Sequence, residues 1–170
     1  MPDAFLTLQP LTNSHLALLE RWLDCDHVKP WFPNKAEVLE HAQNPTEGAQ
    51  QAIIYYRRIP VGYLRWQLVD NETLQSLGLS DVPAGSADAD ILIGEPSQLG
   101  QGIAPVALNV LCKRLGARAE VPLLALTSSV NNQEAHRAFD KAGFTILTRY
   151  TPEGFGECYL FTRALDAPPT

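Results

Sequence analysis

The stretch "SQLGQGIAPVAL" at residues 97–108 is the tightest constraint this chain places on its own fold. It packs Gly100, Gly102 and Ala104 into five positions and runs straight into an apolar helix. Just upstream, "DADILIG" reads as a buried strand. A strand, a nearly bare bend and a helix in that order form a strand-to-helix turn. The bend turns several N–H groups toward the positive end of the helix dipole, where an anion is favoured. Pro105 is tolerated because it falls in the first turn, where its missing N–H costs nothing.

The rest of the chain builds around this unit. "FLTLQP" fits a first strand, and "TNSHLALLERWLDC" a helix with Leu16, Leu19 and Leu23 at a period near 3.6. "NKAEVLEHAQN" is a second helix, stopped at Asn44-Pro45. "AQQAIIYYRRIPVGYLRWQLVD" splits at "RRIP" into a hairpin. Residues 70–87, "DNETLQSLGLSDVPAGSA", are polar and rich in turn formers, so a long loop is expected there. After the bend, "GIAPVALNVLCKRLGA" is a helix, "PLLALTS" a buried strand, and "NNQEAHRAFDKAG" a helix ended by Gly143. "FTILTRY" and "GECYLFTRAL" close the chain as a hairpin. The order β α α β β, loop, β α β α β β implies a mixed sheet with one right-handed crossover. Residues 1–165 are expected to form a single domain, and residues 166–170 a frayed tail.

Composition narrows the function classes. The net charge of −6 argues against a nucleic-acid binder. Cys25, Cys112 and Cys158 are odd in number and widely spaced, as expected of reduced thiols in a cytoplasmic protein. The four histidines lack metal-ligand spacing, so no metal is expected. The N-terminus has no signal-peptide pattern and no segment reads as a membrane span.

Three readings of the bend compete. A Walker loop is excluded because Ile103 and Ala104, not Lys and Ser or Thr, follow Gly102. A dinucleotide fingerprint fails because Pro105 stands where the third glycine must pack against a strand. A tight turn with no ligand stays open on these residues alone.

Together with "NNQEAHRAFDKAGF" thirty residues on, the chain resembles the GNAT superfamily of acyl-CoA-dependent N-acyltransferases. Gly102 and Ala104 fill the two small positions of the superfamily's first motif, and Asn132, Phe139, Gly143 and Phe144 stand at the spacing of its second. The resemblance covers nearly the whole chain. It implies an α/β (α+β) fold: one mixed, mostly antiparallel sheet of about seven strands, splayed at its centre, with about four helices. Within the superfamily, "HLALLERWLDCDHVKPWF" and "DILIGEPSQLGQG" are similar to the aminoglycoside 6'-N-acetyltransferases and their siderophore-lysine acyltransferase relatives.

The resemblance implies a cosubstrate and a set of roles. Acetyl-CoA would lie with its pyrophosphate on the backbone of Gln98, Leu99, Gly100, Gln101, Gly102, Ile103 and Ala104. Its pantetheine arm would run along Ile91, Leu92 and Ile93, with the side-chain amide of Asn132 and the ring of Phe139 beside it. A main-chain N–H near Leu92 would hold the thioester oxygen as charge develops. Asp90 would accept the proton of the attacking amine and contact the acceptor. Trp22, His27, Trp31, Tyr63 and Trp66, with Phe32, are candidates for the acceptor's surroundings.

Four departures bear on function. The family's Gln or Arg position is Leu99, with Gln98 one residue early. The tyrosine that usually protonates the leaving thiolate is Phe139. Thr127-Ser128 stand where the aminoglycoside enzymes commonly carry an acidic residue, and Arg65 adds a cation on the third strand. The expected activity is acetyl transfer to a primary amine of a small molecule, an aminoglycoside 6'-amine among the candidates. A lysine, hydroxylysine or protein amine, or a catalytically weak acyl-CoA sensor, stays open as an alternative. The expected assembly is a monomer or homodimer without nucleic-acid or membrane partners.

Overall fold

The computed structural model describes residues 5–118 and 120–165, so the expected tail at 166–170 lies outside the described residues. The elements are β1 (Leu6–Pro10), α1 (Leu16–Leu23), α2 (Lys35–Gln43), β2 (Gln50–Tyr56), β3 (Ile59–Leu68), α3 (Asn71–Ser76), β4 (Ala87–Ile93), α4 (Ile103–Gly116), β5 (Leu123–Ser129), α5 (Gln133–Lys141), β6 (Thr145–Tyr150) and β7 (Cys158–Ala164). The seven strands form one sheet in the order β1-β2-β3-β4-β5-β7-β6. β4 and β5 are parallel, as expected of a strand–helix–strand crossover, while β1–β2, β2–β3, β5–β7 and β6–β7 are antiparallel.

The β4–β5 pairing is short. It holds only at Ala87↔Leu124, Asp88↔Ala125 and Ala89↔Leu126, although both strands run on past that point. Asp90 is the first residue of β4 beyond the pairing.

The chain groups into two compact units. One takes residues up to Trp66 together with Ile91–Ala107. Its core is Leu19, Trp22, Leu23, Val28, Ala42, Ile53, Tyr63 and Leu92. The helical period puts Leu19, Trp22 and Leu23 on one buried face of α1. α2 begins where the Asn34 side chain accepts the Glu37 N–H at 3.2 Å.

The other unit takes Gln67–Asp90 and the described residues from Leu108 on. One of its clusters is Leu74, Leu79, Val82, Ala125 and Leu160. Arg163 ties it together, donating from Nη1 to Asn109 Oδ1 at 2.6 Å and to the Ala142 carbonyl at 2.8 Å.

The fold departs from expectation in one element. Residues 70–87 are not simply loop, because Asn71–Ser76 form α3. Asp70 caps it, its Oδ1 accepting the Thr73 N–H at 2.8 Å. Leu74, Leu79 and Val82 are all buried, so this otherwise exposed segment is anchored at intervals along its length. The polar, turn-rich composition hides three apolar residues too irregularly spaced to announce a helix. Of the five helices, α3 is the one shorter than seven residues.

Candidate active site

The bend before α4 is built from main chain. Gly100 and Gly102 both sit at φ 75°. An L side chain rarely adopts that backbone, which accounts for glycine at both places. A Cβ built on either would meet nothing within 4 Å, so no packing demand excludes one. The approach to the backbone is open, as a diphosphate cradle requires. Leu99, Gly100, Gln101 and Gly102 are exposed, and burial begins at Ile103 as α4 starts. The first N–H groups of α4 have no partner within the helix, and Pro105 removes only one of them.

In the same unit the C-terminal part of β4 is held by side chains from the α1 region. The Trp22 indole donates to Glu95 Oε1 at 2.9 Å, and Arg21 donates to the same oxygen at 2.6 Å. The ring of Trp22 lies so close over Gly94 that a Cβ there would overlap it. His27 Nε2 donates to the Ile93 carbonyl at 2.9 Å, which fixes its tautomer. Leu92 is 4% exposed and belongs to the core, while Ile91 and Ile93 are half-buried.

In the other unit, a cavity of about 280 Å³ opens beneath α3. Its walls come from the end of β3, α3 and the segment after it, the start of β4, and β5, β6 and β7. Aliphatic residues share the lining with Gln67, Asp70, Thr73 and Ser86, and Asp88, Thr127 and Tyr150 complete its polar part. The hydroxyls of Tyr150 and Thr127 share a hydrogen bond of 2.5 Å. Burial pushes the Tyr150 hydroxyl above its ordinary value; the Thr127 bond pulls it down, and the charges of Asp88, Cys158 and Asp90 push it up again. Tyr150 is therefore held in its protonated form near two carboxylates. Ser86, also on the wall, is fully buried, and its Oγ has no hydrogen-bond partner among the described residues.

Asp90 is exposed and Asp88 half-buried, and the alternation of β4 puts both on one face. Asn132 caps α5, its Oδ1 accepting the Ala135 N–H at 3.2 Å. Phe139 is 5% exposed, with its ring centre 5.2 Å from that of Phe161 and 6.3 Å from that of Phe144.

The aromatic residues expected around an acceptor are spread widely. Trp22, Tyr63 and Trp66 are buried, and the Tyr63 hydroxyl donates to Gln51 Oε1 at 2.5 Å. Phe32 packs against the first core, and Trp31 is 37% exposed. None of these residues lines the cavity beneath α3. Sequence reasoning missed Tyr150 altogether. It lies at the end of a strand before the "TPEGFG" turn, outside any motif, and no spacing marks it. Thr127 was visible only as a residue standing in an acid's place.

A family model described as an acetyltransferase (GNAT) domain matches residues 12–151. The aminoglycoside N(6')-acetyltransferase type 1 proteins of Klebsiella pneumoniae and Serratia marcescens are each 29% identical over 166 residues, covering 88% of this chain and 79% of the relative. Aminoglycoside acetyltransferase AAC(6')-Ib, solved in complex with coenzyme A, superposes with a TM-score of 0.78 at 24% identity, covering 94% of each chain. RimL, a ribosomal L7/L12 alpha-N-protein acetyltransferase solved with coenzyme A, gives a TM-score of 0.74 at 17% identity, covering 99% of this chain and 98% of its own. The likeness to these two solved structures is one of fold.

Proposed function

This chain belongs to the acetyltransferase (GNAT) family, and from that premise we propose that it moves an acetyl group from acetyl-CoA to a primary amine of a small molecule. The observation that carries the reading is the bend at Gly100–Ala104, where open main chain at the start of α4 offers N–H groups to a diphosphate. Solved relatives in complex with coenzyme A or acetyl-CoA support acetyl-CoA as the cosubstrate.

The reaction is attack of a neutral amine on the thioester carbonyl. The C–N bond forms, the C–S bond breaks, and the amine's extra proton must leave. For a lysine-like amine, freeing that proton at pH 7 costs about 4–5 kcal/mol. We assign its acceptance, directly or through a water, to Asp90, whose exposure and position just past the β4–β5 pairing support that role. The backbone of Ile91, Leu92 and Ile93 would pair with the pantetheine amides, and a main-chain N–H there would hold the thioester oxygen. Phe139 has no proton to give, so the leaving thiolate departs as such or takes a proton from water; an ordinary thiol pKa near 8.5 makes this feasible.

The names of the relatives point to an aminoglycoside 6'-amine as one candidate acceptor. A second reading, a weak acyl-CoA sensor, is favoured by one observation: the buried Phe139 ring supplies no hydroxyl. Mixing the protein with acetyl-CoA and a panel of primary amines, then following free thiol, decides between them. Transfer gives amine-dependent thiol release that Asp90→Asn abolishes. Tight acetyl-CoA binding with no release for any amine would overturn the transferase reading.

A further inference from the structure

Resting on the reading of the bend given above, we propose that Arg58 holds the ribose 3'-phosphate of coenzyme A while the bend takes its diphosphate. At the β2–β3 turn Tyr56 pairs with Ile59, so Arg57 and Arg58 alone make the turn. They sit at φ 50° and 68°. The favoured two-residue hairpin turn with positive φ at both central residues usually takes Asn-Gly. Arginine is uncommon in that region, so the turn itself gives no reason for two of them. Arg57 has a reason of its own. Its N–H donates to the Phe5 carbonyl at 2.9 Å, and its guanidinium lies 5.4 Å from the centre of the Phe5 ring and 5.3 Å from that of Tyr56. Arg58 has no such anchor. It is exposed, and its side chain makes no hydrogen bond, ion pair or ring contact with any described residue.

The fold brings this free cation to the bend. The Val61 carbonyl accepts the N–H groups of Gly94 and Glu95 at 2.8 and 3.2 Å, so the start of β3 lies against the end of β4. The turn and the bend therefore leave the sheet at the same end, within the same compact unit. The bend itself carries no cation. Residues 95–104 include no lysine or arginine, and their one carboxylate, Glu95, is taken by Arg21 and Trp22. Elsewhere in that unit Lys35 is paired with Asp24 and Glu20. Coenzyme A brings a third phosphate, a monoester on its ribose, to a chain whose net charge is −6. A guanidinium meets such a group with two parallel N–H donors. The Lys29 side chain also has no partner among the described residues, but an ammonium is a point charge without that fork. Arg58 acts here as a binding residue for the cosubstrate and takes no part in the transfer step.

The test titrates coenzyme A and 3'-dephospho-coenzyme A into the full chain by calorimetry. The wild-type protein should bind coenzyme A about fivefold or more tighter than the dephospho form. Arg58→Gln, at an exposed position, should remove that preference, weakening coenzyme A by the same factor and leaving the dephospho form unchanged. Lys29→Gln removes an equal charge and should keep the preference. Equal wild-type affinity for the two ligands, a preference that survives Arg58→Gln, or one that Lys29→Gln also abolishes would overturn the assignment of Arg58 and leave the reading of the bend intact. Arg58→Gln weakening both ligands alike would do the same, because it would mark long-range charge rather than a phosphate contact. A folded protein that binds neither ligand would overturn the reading of the bend and this assignment together.

Discussion

The bend before α4 and the cavity beneath α3 are built by different means. The bend is local, exposed and made of backbone. Its chemistry comes from N–H groups whose direction is set by two glycines at φ 75°. The cavity is discontinuous, mixed in polarity and made of side chains drawn from β3 to β7. Backbone recognition suits a constant partner, because it depends little on which side chains surround it. Side-chain recognition suits a variable partner, because one substitution on a wall changes what fits. Under the function proposed above the bend would take the cosubstrate, and substitutions in backbone-built and side-chain-built walls should therefore act differently.

Substitutions at the bend and at Asp90 should separate cosubstrate effects from effects on transfer. The largest is expected from Asp90→Asn, which would remove the proposed base: kcat should fall by about 10²–10⁴-fold while acetyl-CoA still binds, as steady-state kinetics beside a binding isotherm will show. Gly102→Val comes next. Forcing a β-branched residue to φ 75° costs about 1–2 kcal/mol, and its side chain stands where the diphosphate must approach. The KM for acetyl-CoA should rise about tenfold or more, with the acceptor KM unchanged. If the acceptor KM rises in step, the two effects are not separate.

A smaller effect is expected in the pH profile. Tyr150 is held protonated above the ordinary tyrosine value, first by burial and then by the nearby carboxylates. Its neutral form therefore persists below and through the ordinary range near pH 10, and any contribution it makes is lost only as pH rises through the higher folded value. Acetylation of a lysine-like amine should climb with pH as the acceptor loses its proton. No falling limb below about pH 10 should disappear in Tyr150→Phe. Phe139→Tyr should be smaller still and should not lower kcat; a large loss with acetyl-CoA still bound would mean that this ring is wrongly placed beside the pantetheine arm.

Much of the fold was legible before any coordinates. The strand–bend–helix at residues 87–116 announces itself because glycine at 100 and 102, proline at 105 and an aliphatic run each have a local reason. The terminal hairpin is legible from the proline and glycines of its turn, and the β2–β3 hairpin from the break at "RRIP", although Arg57 and Arg58 turn there at φ 50° and 68° without a glycine. α3 is not, since its cap, Asp70, is one more polar residue in a polar stretch, and Leu74 and Leu79 reveal their role only when packed against Ala125 and Leu160. The cavity is less legible still. Thr127 and Tyr150 belong to different strands, and only the β5–β7–β6 order brings their hydroxyls together. Motifs report what the backbone does locally, whereas a pocket depends on which distant strands become neighbours.

Coenzyme A titrated into the folded protein by calorimetry tests the central claim, that bare main chain around Gly102 grips a diphosphate. Saturable binding well below millimolar coenzyme A, weakened about tenfold by Gly102→Val, is what the bend requires. A protein that stays folded yet shows no binding at millimolar coenzyme A would contradict it.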